Sequence, residues 1–112
     1  MGIQNDAGEI LILLYNNKVS GTGSIQSDSI IKITGWEEDK VFFALEYLVR
    51  KGLIDGDIRK TSGSNKTLFV LVKDINPDGI DIVENEDKFQ KSFSFSIGIP
   101  GVFNYSWGAK QR

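Results

Sequence analysis

The chain has 112 residues, 40% of them apolar and 25% charged, which points to one soluble globular domain with a core of ordinary size. It contains no cysteine and no histidine, so disulfides, thiolate zinc sites, thiol nucleophiles and imidazole bases are excluded together. A formal net charge of -2 provides no global positive field, so any nucleic-acid role must rest on a local patch.

The first helix is expected from Asp6 to Asn17, because Ile10, Leu11, Leu13 and Leu14 recur at helical spacing behind Asp6, which reads as its N-cap. The apolar run Ile10 to Leu14 is too short to cross a bilayer, and no signal-peptide pattern is present. The expected location is therefore the cytoplasm, with no membrane partner. Lys18 to Gly23 breaks the helix, and Ser24 to Gln26 can form a minimal strand. Ser27 then reads as the cap of a short second helix, Asp28 to Thr34, buried through Ile30, Ile31 and Ile33 and ended by Gly35.

A third helix is expected from Glu37 to Lys51, with Gly52 as its stop. Val41, Ala44, Leu45, Leu48 and Val49 share one face with Phe42 at its border, leaving Asp39, Lys40, Phe43, Glu46, Tyr47 and Arg50 outward. Leu53 to Ile58 and Thr67 to Lys73 are β-branched runs around Arg59 to Lys66, "RKTSGSNK", whose composition is that of a hairpin tip. Asn76 and Pro77 open a fourth helix with Ile80 and Val83 inward. Asn85 to Lys91 reads as a charged link. After it, Phe93, Phe95, Ile97 and Ile99 alternate with small residues, Pro100 and Gly101 intervene, and Phe103, Tyr105 and Trp107 alternate again, as in two strands around a turn.

The run "SDSIIKITGWEEDKVFFALEYLVRKGLI" resembles the winged helix-turn-helix family in its capped second helix, its "TG" turn and its third helix ending in "KGLI". "NPDGIDIVE" is similar to the helix opening that follows the wing in that family. The resemblance spans Asp6 to Glu84. It implies an α+β winged helix, with a three-helix core and a two-stranded wing, over residues 1–84, followed by a link and aromatic hairpin over 85–112. The function it implies is that of a small, non-enzymatic, DNA-binding transcriptional regulator acting as a homodimer, without cofactor. The third helix would enter the major groove of double-stranded DNA and the wing would touch the backbone. The positions that match are Lys32, Lys40, Phe43, Tyr47 and Arg50 on the helices and Arg59, Lys60, Ser62, Asn65 and Lys66 in the wing.

The residues themselves pull in a second direction. Base edges are read by Arg, Lys, Asn and Gln, yet the third helix opens with Glu37, Glu38 and Asp39, which suit a helix dipole better than a phosphate backbone. Phe43 and Tyr47 form an outward aromatic pair at i, i+4, to be covered by the C-terminal segment, by a partner or by bases. The alternative function is thus a protein-interaction or oligomerisation module, using Phe43 and Tyr47 with Phe93, Phe95, Phe103, Tyr105 and Trp107.

No catalytic or metal site is expected. "DINPDGIDIVEN" imitates a calcium loop from Asp74, but Asn85 stands where the bidentate acid belongs and a strand precedes it. "GTGS" lacks the lysine and spacing of a phosphate loop, and Asp55 with Asp57 shows no division into acid and base.

Overall fold

Ile10, Leu11, Ile12, Leu13 and Leu14 follow one another without a polar interruption, so a helix through them has no face to offer water. The computed structural model describes residues 2–21, 23–64 and 66–95. In it these five residues lie in α1 (Ile3–Val19), and all are buried. The helix begins a turn earlier than expected, with Gly2 at the cap position and no side-chain cap. Asp6 is therefore not the cap. Its backbone N–H already donates to the Gly2 carbonyl at 3.1 Å, inside the helix, while its buried carboxylate lies 3.6 Å from the Lys40 ammonium.

Among the described residues, α1 is followed by β1 (Ile25–Gln26), α2 (Ser27–Thr34), α3 (Glu38–Arg50), β2 (Ile54–Lys60), β3 (Thr67–Ile75), α4 (Pro77–Val83) and α5 (Glu86–Phe93). The fold is α+β, and its layout is compatible with a winged helix. The strands form an antiparallel sheet in the order β1-β3-β2. Strand β1 holds only two registered pairs, Ile25 with Val72 and Gln26 with Leu71. The next amide along that edge of β3, that of Val70, donates to the buried Ser27 hydroxyl at 3.1 Å. Ser27 was expected to cap α2, but its hydroxyl is needed where the two-residue strand runs out of backbone acceptors. Gly35 and Gly52 end α2 and α3 in left-handed conformation, at φ 72° and 74°. Asn76 stands before Pro77 as expected, yet its amide donates to the Gly52 carbonyl at 3.1 Å and ties α4 to the end of α3.

Residues expected as a charged link, and Phe93 expected in a strand, form α5 instead. The Asn85 side chain accepts the Lys88 N–H at 3.0 Å, and Glu86 and Asp87 follow in the first turn. Phe89 and Phe93 then sit at i, i+4, both buried, with ring centroids 4.9 Å apart. They cover the side of α1 that α3 leaves open. A β-carbon on Gly8 would lie 2.8 Å from Phe93 Cβ and from Phe95 Cε1, so these two helices approach as closely as a glycine permits. The Asn5 amide donates to the Phe93 carbonyl at 2.8 Å, and the Gln4 amide to that of Ser92 at 2.6 Å. Further along α1, the Tyr15 hydroxyl donates to Glu84 at 2.5 Å.

Phe93 therefore belongs to the core of its own chain and leaves the partner-binding set. Half-buried Phe95 packs edge-on against Phe89 at 5.1 Å. Phe103, Tyr105 and Trp107, with the expected turn between the two aromatic runs, lie outside the described residues, as does Asn65. No helix among the described residues is long and apolar enough to cross a membrane.

Replacing Gly8 by Ala should push α1 and α5 apart. Overpacking of this kind costs about 1–3 kcal/mol, against which the better helix propensity of Ala returns about 1 kcal/mol. Urea titration should therefore show a net loss of stability for Gly8→Ala and none for Gly2→Ala, where a β-carbon meets nothing within 4 Å. Equal stabilities would mean that α5 does not press on α1.

Candidate functional site

The phase of α3 is set by Val41, Phe42, Ala44, Leu45 and Leu48, all buried against the rest of the core. Phe42 is fully inside, one step beyond the border position expected of it, and Val49 is only half-buried. What remains outward is a stripe of Asp39, Phe43, Glu46, Tyr47 and Arg50.

Phe43 is the centre of that stripe and is 51% exposed, unusual for a residue of its size. On one side it lines an open pocket of about 340 Å³ with Ile3, Glu46, Tyr47, Arg50 and Lys51. On the other it lines a pocket of about 390 Å³ with Asp39, Phe42, Glu46, Lys66 and Thr67. The ring is a ridge between two hollows. Ile3, 46% exposed at the start of α1, extends the apolar ground of the first pocket. Glu46 does not compete for this ground, because its carboxylate accepts the Thr67 hydroxyl.

Two of the expected cations, Lys40 and Arg59, have partners within the chain. Lys40, the one base near the start of α3, points back to Asp6 at 3.6 Å and lies 4.4 Å from the Trp36 ring centroid. In the hairpin tip, Arg59 is paired with Asp57 at 2.8 Å, so its charge has a partner within the chain. Lys51 lies 6.0 Å from the Tyr47 ring. Arg50, Lys32, Lys60, Ser62 and Lys66 are exposed. The tip is closed by the Thr61 N–H donating to the Lys66 carbonyl at 3.0 Å and the Lys66 N–H donating to the Ser64 hydroxyl at 3.1 Å.

Of the expected DNA contacts, the structure brings Phe43, Tyr47 and Arg50 to one pocket and Phe43 with Lys66 to the other. Lys32, Arg59, Lys60 and Ser62 line neither.

Comparison with family models, with curated proteins and with solved structures found no match. Ile3 lies ahead of the helix start expected at Asp6; with the helix begun one turn earlier, the Ile3, Ala7, Ile10 spacing brings it into phase with the apolar residues of α1.

The residues of the calcium-like loop are occupied otherwise. Asp74 accepts from the Lys18 ammonium at 2.7 Å and from the Ile75 N–H at 2.8 Å, and these bonds hold its carboxyl below the ordinary aspartate range.

Because Phe43 contributes little to the core and Phe42 much, the two should separate in stability. Phe43→Ser is expected to change unfolding free energy by no more than about 0.5 kcal/mol, as for an exposed substitution. Phe42→Ala should cost about 3–5 kcal/mol. Urea titrations at low protein concentration check both, and a large loss for Phe43→Ser would make its ring structural.

Proposed function

We propose that this chain is a non-enzymatic, winged-helix-like protein-interaction module that offers the outward face of α3 to a protein partner. The observation that carries this reading is the half-exposed Phe43 ridge between two pockets, on a helix whose one N-terminal cation lies beside Asp6 and Trp36 of its own chain. An aromatic ring flanked by hollows, with charges at its border, has the anatomy of an interface centre. The helix order and the β2–β3 hairpin support the winged-helix part of the proposal, with Arg59 to Lys66 as the wing.

A second reading, a DNA-binding transcriptional regulator, is favoured by a different observation. Lys60, Ser62 and Lys66 are exposed at the hairpin tip, and Arg50 is exposed at the far end of α3, where phosphates could be met. The first turn of α3 opposes it, since Glu38 and Asp39 are both exposed and would face the same phosphates.

The readings separate under opposite substitutions. Purified protein is expected to show no salt-dependent affinity for random duplex DNA. As bait in a cell extract, it should lose its partner on Phe43→Ser and keep it when Lys60 and Lys66 are both changed to Ala. Duplex binding that weakens steeply with salt and disappears in the double Ala variant would establish the second reading in place of the first.

A further inference from the structure

We propose that the outward face of α3 docks on the same face of a second copy of this chain, with the two α3 helices antiparallel about a two-fold axis. This rests on the interaction reading above and names its partner. Along α3 the exposed charges are sorted by sign: Glu38 and Asp39 in the first turn, Arg50 in the last, and Lys51 just beyond it. Neither Asp39 nor Arg50 has an ion-pair partner among the described residues. Between the two ends lie Phe43 and Tyr47, with Ile3 beside them.

Such a stripe complements itself only when one copy is reversed. Around an axis level with Leu45, Phe43 meets Tyr47 of the partner subunit, and Asp39 meets Arg50 of the partner subunit, each contact occurring twice. Each Phe43 ring then has the other copy's pocket to enter. A parallel arrangement would set acid against acid and base against base. Lys40, which would come near the partner's Arg50, is already turned to Asp6 and Trp36. With 13 residues, α3 is about 20 Å long, so the contact sits at the small end of specific interfaces and should be a micromolar, exchanging one.

The test is the mass of the full chain in solution across a range of concentrations, by sedimentation equilibrium. Wild type should move from 12.5 kDa towards twice that value as concentration rises. Asp39→Arg and Arg50→Asp should each raise the dissociation constant at least about tenfold, because like charges then face each other twice. An equimolar mixture of the two variants should regain the dimer, since every charged contact across the axis becomes attractive again. Circular dichroism of each variant confirms its fold, and recovery in the mixture cannot come from unfolded chains.

A wild type that stays at 12.5 kDa, a dimer indifferent to both variants, or a mixture that fails to recover would each overturn the proposal. If wild type is monomeric but an extract partner is still lost on Phe43→Ser, self-pairing falls and the interaction surface stands. A monomer with no Phe43-dependent partner overturns both.

Discussion

The rest of the molecule depends on one constraint: the middle of α1 must be covered all round. Ile10 to Leu14 fill every direction of the helix surface, and Gly8, Ile12 and Tyr15 make a second flank as demanding as the first. Helix α3 covers one flank with its Val41, Leu45 and Leu48 face. Helices α4 and α5 cover the other, with Phe93 close against Gly8 and with Tyr15 bonded to Glu84. The sheet reaches α1 through β3, and Ser27 locks α2 onto that strand.

The same constraint determines what α3 can show to the outside. Once its apolar side is committed to α1, its phase is fixed, and Phe43 must point away from the core with Asp39, Tyr47 and Arg50. Lys40 falls on the shoulder, within reach of Asp6 on α1, and the charge that would have served a phosphate is used to join two helices. The interaction and DNA readings exclude each other on this face, because a ridge covered by protein cannot also lie in a groove. They do not exclude each other at the hairpin tip, which neither pocket involves apart from Lys66.

Much of the architecture is legible in the sequence, and the exceptions have local physical causes. The two glycine stops, the burial phase of α3 and the hairpin follow from residue type and spacing, which tertiary packing here reinforces. Asp6 and Ser27 read as caps because short polar side chains before apolar runs usually are. Both serve distant partners instead, Lys40 and the Val70 amide, and sequence spacing carries no trace of those. Helix α5 was hidden by a conflict of periods. Phe93, Phe95 and Ile97 alternate as a strand would, whereas Phe89 and Phe93 after Asn85, Glu86 and Asp87 read as a capped helix, and the real cap wins. At the candidate site, the outward pairing of Phe43 and Tyr47 was readable. The contact of Lys40 with Asp6 and the Arg59–Asp57 pair required the fold.

The measurement that bears most directly on the central claim is the amide NMR spectrum of the labelled chain, recorded as duplex DNA is added at low salt. If α3 presents a protein-binding ridge, the resonances of Asp39, Phe43, Tyr47 and Arg50 should stay where they are. Movement of those resonances with added DNA, reversed by raising the salt, would contradict the account and return α3 to the groove.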